Sequence, residues 1–131
     1  MSIPGNVLLD SNIVIAHFRR DETVSKILAE AGVLYLSAIS LGELQYGAWR
    51  SQNPENKLAQ LTAFLSQIVL LPVEQTTAVC YGEIKMALSR AGTPIPDNDV
   101  WIAALAQEYQ LPLATRDQHF DHVPGITVHH W

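Results

Sequence analysis

The chain is short of cysteine: Cys80 stands alone among 131 residues. One thiol closes no internal disulfide, so nothing implies an oxidising compartment, and the expectation for Cys80 is a small buried core position. Basic charge is scarce too. Eight Lys and Arg stand against 13 Asp and Glu, a formal net charge of −5. That balance argues against nucleic-acid binding through a broad basic face, although it leaves room for a nuclease whose acidic centre is filled by metal. No apolar run is long enough to cross a bilayer. Met1 to Gly5 lacks the basic region and the long apolar stretch of a secretion signal. No Gly-x-x-x-x-Gly-Lys loop occurs, which removes the P-loop nucleotide enzymes. Repeats, low-complexity segments and linkers are also missing. The expectation is a soluble cytoplasmic protein without membrane contact, a single domain over residues 1–131, with 48% hydrophobic residues to fill a core.

What is present begins with Val7-Leu8-Leu9-Asp10-Ser11-Asn12. A short apolar run bounded by polar residues fits a strand buried on both faces. Ser11 or Asn12 then caps a helix from Ile13 to Phe18. Asp21 caps a second helix, Glu22 to Ala31, which Gly32 stops. A second strand, Val33 to Leu36, leads through a cap at Ser37 or Ser40 into a helix from about Leu41 to Arg50. Asn53-Pro54 turns into a helix over 55–67, and Ile68 to Val73 is a third strand. Thr76 or Thr77 opens a helix that runs to Arg90 and ends at Ala91-Gly92. Asp97 or Asn98 caps Val100 to Tyr109. Leu111 to Thr115 is a short strand, Asp117 to Phe120 a single turn, and Ile126 to His129 a last strand. Strands separated by helices imply right-handed crossovers and a parallel sheet. The predicted fold is α/β, a three-layer α/β/α sandwich with a central parallel sheet.

Four acids fall just beyond a strand or inside the helix that follows it: Asp10, Glu43, Asp99 and Asp117. In a parallel sheet all four lie at its carboxyl edge, where open α/β sheets bind ligands and helix N-termini favour negative charge. Each has a local explanation taken singly. Glu43 completes a Ser-x-x-Glu capping box with Ser40, and Asp97, Asp99 and Asp117 are all possible helix caps. Together they repel: at an effective dielectric of about 20, two unit charges about 4 Å apart interact by roughly 4 kcal/mol. A cation filling the cluster, or protonation of some carboxyls, relieves this. Hard oxygen ligands suit Mg²⁺ or Mn²⁺, and such an ion suits phosphoryl chemistry.

Leu8-Leu9-Asp10-Ser11-Asn12-Ile13, Ser40-x-x-Glu43-Leu44, Asn98-Asp99-Val100-Trp101-Ile102-Ala103-Ala104 and Thr115-Arg116-Asp117-x-x-Phe120 occur in that order. The set resembles the signature of PIN-domain ribonucleases, most closely the VapC toxins of type II toxin–antitoxin pairs, and covers nearly the whole chain. The resemblance implies a parallel α/β/α sandwich and a Mg²⁺- or Mn²⁺-dependent endoribonuclease leaving 5′-phosphate and 3′-hydroxyl ends. It implies that Asp10 and Asp99 bind the ion most directly. It implies that Glu43 completes the site or holds a metal-bound water, and that Asp117 matches a fourth, more variable acid. Ser11 stands where the family often has Thr. Asn12 and Thr115 orient the carboxylates. It further implies an RNA substrate, a cognate antitoxin that covers the site, and a homodimer within a toxin–antitoxin hetero-oligomer.

Other residues carry competing readings. His119 and His122 lie three apart beside Asp121, but a structural zinc site needs about four ligands, so they are read as surface residues around a short helix. His129-His130-Trp131 reads as a strand end and tail. Arg19, Arg20, Arg50, Lys85, Arg90 and Arg116 are solvated surface charges or RNA-steering cations. Tyr46 and Trp49 are either core or the lining of a groove for a partner helix. Two rival functions fare worse. A haloacid dehalogenase-type phosphatase needs a second Asp where Asn12 stands. A non-catalytic receiver-like domain needs paired acids at the first strand, where Asp10 is alone.

Overall fold

The computed structural model describes residues 5–131; Met1 to Pro4, part of the stretch read above for a secretion signal, lie outside the described residues. Five strands, β1 (Val7–Leu9), β2 (Leu34–Ser37), β3 (Val69–Leu71), β4 (Leu113–Thr115) and β5 (Val128–His130), form one sheet in the order β3-β2-β1-β4-β5. Every pairing is parallel. Six helices connect them: α1 (Ser11–Phe18), α2 (Glu22–Glu30), α3 (Ala38–Arg50), α4 (Pro54–Leu65), α5 (Gln75–Ala91) and α6 (Asp97–Tyr109), with a 3-10 turn at Gln118–His122.

The strands are short and apolar on both faces because helices cover both. Val7, Leu9, Leu36 and Ala114 join residues of α1 to α4 in one core. Leu8 and Leu113 turn to the other face and pack with α5, α6, Phe120 and Val123. The alternation along β1 thus decides which layer each residue serves. The chain runs outward from β1 through β2 to β3 with α1 to α4 on one face. It then returns over the other face through α5 and α6 to place β4 on β1's free side. Right-handed crossovers require that change of face when the direction reverses. The reversal leaves a crevice between the carboxyl ends of β1 and β4.

Several local expectations need correction. Asp10, not Ser11 or Asn12, caps α1, and its carboxylate accepts from the Ser11 amide. Helix α3 starts at Ala38, not Leu41, because Ser37 alone is the cap and accepts from the Ser40 amide at 2.9 Å. Ser40 therefore lies inside the helix, and the Ser40–Glu43 capping box does not form. Glu74 caps α5 in a reciprocal box with Thr77. Helix α6 begins at Asp97 behind Pro96, so neither Asp97 nor Asn98 is its cap. Gly92 ends α5 at φ 72°, the left-handed conformation that favours glycine. Gly32 does not act as a helix stop of that kind. Helix α2 ends with Ala31 extended, and Gly32 is required by close approach: a Cβ there would lie 2.8 Å from the Gly5 carbonyl oxygen. Strands β3, β4 and β5 are each three residues long, shorter than the apolar runs that contain them.

Candidate active site

The crevice opens into a cleft of about 500 Å³ at the carboxyl ends of β1 and β4. Asp10, Glu43, Asp99 and Asp117 all line it, with Ser11, Asn12, Asn98 and His119. Four separate elements bring the acids together. β1 delivers Asp10, α3 delivers Glu43 in its second turn, α6 delivers Asp99 in its first, and β4 runs into Asp117.

Asp10 is the floor, with only 4% of its surface exposed. Its Oδ1 accepts from the Ser11 amide at 2.8 Å, and its Oδ2 accepts from the Thr115 hydroxyl at 2.8 Å. The buried Thr115 hydroxyl also accepts from the Asp117 amide at 2.9 Å, so one side chain ties two of the acids together. Asn12 reinforces the turn from the other strand end, accepting from the Arg116 amide at 3.2 Å. Asp117 caps the 3-10 turn by accepting from the His119 amide at 3.0 Å.

The electrostatics follow from crowding. Burial raises the Asp10 pKa above the ordinary carboxylate value, with smaller upward contributions from the charges of Asp99 and Asp117, against the lowering effect of Thr115 and Ser11. Burial also raises Glu43, helped by Asp10 and Asp99. Asp99 is raised by burial and by Asp117, partly offset by His119. Among the described residues no Lys or Arg forms an ion pair with any of the four. The cations near the cleft are engaged elsewhere. Lys85 pairs with Asp97 at 2.7 Å, and Arg116 pairs with Asp21 at 2.5 Å while donating to the Trp131 carbonyl. A donor set made mainly of carboxylate oxygens, with no Lys or Arg partner among the described residues, fits a hard divalent cation.

One residue of the cleft does more than the sequence reading gave it. His119 is a surface residue on the short 3-10 turn, as read, but its Nδ1 also lies 3.2 Å from Asp99 Oδ2 and 3.1 Å from Asp117 Oδ1. The available signal was Asp117-x-His119 directly after a strand end, a spacing at which a capped tight turn brings the ring back over its own cap. His122 does not line the cleft. His130 instead pairs with Asp121 at 2.8 Å, and Trp131 packs against the α1–α4 core instead of trailing as a tail. Asp97 lines the cleft but is occupied by Lys85 and Tyr81. Cys80 is half-buried, not a core residue.

Next to the cleft, a smaller groove between α1, α3 and α4 is lined by Ile15, Phe18, Leu44, Gly47 and Leu61, with Glu43 shared between the two. Arg19, Arg50 and Lys57 edge it. Tyr46 and Trp49 are 63% and 66% exposed, which removes the core reading for both; neither lines the groove.

Comparison with known proteins agrees with this architecture. Residues 7–126 match the family model described as PIN domain. The Haemophilus influenzae Rd protein named Ribonuclease VapC2 is 35% identical over 127 residues, covering 95% of this chain and 96% of that one. The Salmonella typhimurium LT2 protein named tRNA(fMet)-specific endonuclease VapC is 36% identical over 97 residues, or 73% and 74% of the two chains. Among solved structures, VapBC2 from Rickettsia felis bound to a DNA fragment from its promoter superposes with a TM-score of 0.88 at 27% identity, covering 96% of this chain and 98% of that one.

Proposed function

The chain belongs to the PIN-domain family, among the VapC ribonucleases, and from that premise we propose that Asp10, Glu43, Asp99 and Asp117 are the residues with which it cuts RNA. It is the toxin of a toxin–antitoxin pair, a ribonuclease whose family typically depends on a metal. The observation that carries the site assignment is the convergence of four carboxylates, from four elements and with no Lys or Arg partner among the described residues, at the crevice between β1 and β4.

Asp10 and Asp99 are the residues we assign to holding a divalent ion, Mg²⁺ or Mn²⁺. When bound, such an ion neutralises phosphoryl oxygens and activates water for attack on phosphorus. Glu43 is placed to take a proton from the attacking water. It lines the cleft from its exposed side, where desolvation and the neighbouring charges of Asp10 and Asp99 raise its pKa. Thr115 holds Asp10 and Asp117 in register, and Asn12 holds the turn between them. The substrate phosphodiester enters an acidic cleft, so its approach relies on the ion and on edge cations such as Arg19 and Arg50.

We assign the groove between α1, α3 and α4 to a cognate antitoxin. It is apolar, it shares Glu43 with the cleft, and the solved neighbours are toxin–antitoxin complexes. We assign a homodimer contact to exposed apolar residues, Val69 and Leu70 on the edge strand β3 among them. The two cores share one sheet, so we read the chain as one domain. Among the described residues no helix is long and apolar enough to cross a membrane, and an RNA substrate with a single cysteine suits the cytoplasm.

The test is cleavage of total cellular RNA by antitoxin-free protein with Mg²⁺, Mn²⁺ or EDTA, with Asp10→Asn alongside, followed by sequencing of new 5′ ends. tRNA(fMet) is the first pure substrate to try, given the name of one relative. Cuts that vanish with EDTA and with the variant are expected. Equal cutting by Asp10→Asn would defeat the site assignment.

A further inference from the structure

The cleft contains one nitrogen donor among its oxygens. The His119 ring is held there by the same turn that positions Asp117. Asp117 accepts from the His119 amide at 3.0 Å, and Phe120, the next residue, is completely buried in the α5–α6 core. Its Nδ1 faces Asp99 Oδ2 at 3.2 Å and Asp117 Oδ1 at 3.1 Å, and the three donor atoms lie within 4.8 Å of one another. Neighbouring vertices of an octahedron with bonds of about 2.1–2.2 Å are about 3.0–3.1 Å apart. The two nitrogen–oxygen separations lie within about 0.2 Å of that edge. Apart from the two carboxylates, the ring has no protein hydrogen-bond partner among the described residues.

We infer that His119 is a ligand of the divalent ion, joining Asp99 and Asp117, and that its nitrogen makes this site prefer Mn²⁺ to Mg²⁺. An all-oxygen site suits Mg²⁺, whereas imidazole raises affinity along the transition-metal series and does little for the harder ion. The inference rests on the metal-site reading above and sharpens it. The half-exposed ring serves as one ligand on the solvent side of the cleft, opposite the buried Asp10.

The experiment uses the whole chain, stripped of metal and loaded with one equivalent of Mn²⁺ in nitrogen-free buffer. Pulsed EPR on the wild type reads nitrogen coupling to the ion, so the result does not depend on any variant folding. A ¹⁴N modulation that disappears in His119→Ala and persists in His122→Ala is expected. Calorimetry should show Mn²⁺ affinity falling roughly tenfold or more in His119→Ala, on the scale known for partners of metal ligands, with Mg²⁺ affinity little changed. Mn²⁺ binding to the wild type without nitrogen modulation overturns the inference, as does an equal loss of both ions in the variant. RNA cleavage assayed in parallel separates the two readings. Nitrogen modulation without cleavage defeats the nuclease assignment alone, and metal-dependent cleavage without modulation defeats the His119 assignment alone.

Discussion

Two sets of acids lie within reach of one cleft and have been treated in opposite ways by the fold. Asp21, half-buried, and Asp97, exposed, are each matched with a cation, Arg116 and Lys85, whose hydrogen bonds hold their pKa values below the ordinary carboxylate value. Asp10 is buried, Asp99 half-buried and Glu43 on the open side of the cleft; all three are left without a Lys or Arg and shifted upward, in each case chiefly by desolvation. The protein does not lack basic side chains near the site; it spends them on the outer acids. A fold that neutralises its peripheral carboxylates and leaves the central ones without Lys or Arg fits the proposal that a cation from solution fills the cleft.

The comparison breaks most completely at the floor. Asp10→Asn or Asp99→Asn is expected to lower cleavage by roughly 10³-fold, the scale on which loss of direct charge stabilisation acts, while circular dichroism remains native. The same changes at Asp97 should leave cleavage within error, because its carboxylate serves Lys85 and Tyr81. Equal losses at Asp97 and Asp99 would erase the distinction between the two sets.

Thr115→Val should come next. It deletes the hydroxyl that donates to Asp10 and accepts from the Asp117 amide, leaving a buried acceptor and a donor without partners. Stability is expected to fall by about 1–3 kcal/mol in denaturant unfolding, and metal affinity by roughly 10–100-fold. Thr115→Ser should restore both.

The central acids also set a pH dependence opposite in sign to that of ordinary carboxylates. Their folded pKa values are raised, so between the unfolded value near 4 and the raised values the folded, metal-free protein binds more protons than the unfolded chain. Its stability therefore falls as pH rises through that window and grows as pH falls toward its lower edge. Thermal unfolding of metal-free protein should show a Tm that rises on acidification from neutrality, with a flatter profile in Asp10→Asn. Asp21 and Asp97 contribute with the reverse sign at lower pH, where protonation breaks their pairs. The smallest effect belongs to Lys85→Ala. It opens an exposed pair worth little in water, and the Tm should scarcely move.

The sequence made much of this legible, for reasons that differ by residue. The sheet and its two-faced burial could be read because Val7-Leu8-Leu9 and Leu113-Ala114 are apolar at every position. Asp10 could be placed because the strand ends in it. Helix starts were misplaced at α1, α3, α5 and α6, where several nearby polar residues offer themselves as caps and only the backbone turn decides, choosing Ser37 over Ser40 at α3 and passing over both Asp97 and Asn98 for Pro96 at α6. Tyr46 and Trp49 were ambiguous because an aromatic on an amphipathic helix packs inward or outward according to neighbours from α4 that local spacing does not contain. His119 was rightly read as a surface residue, but its contact with the acids was not read, for a related reason. Its position over Asp99 depends on how α6 and the 3-10 turn meet, a contact between residues twenty apart in the chain.

The measurement that tests the central claim most directly is the thermal stability of the metal-free protein at neutral pH with increasing Mg²⁺ or Mn²⁺, beside Asp99→Asn. If the bare acids await a cation, saturating metal should stabilise the wild type by about 2.7 kcal/mol at one hundred times the dissociation constant, raising its Tm. The variant should start more stable than the metal-free wild type and respond little to metal. A wild type that gains nothing from either ion, or a variant that gains as much, would contradict the account.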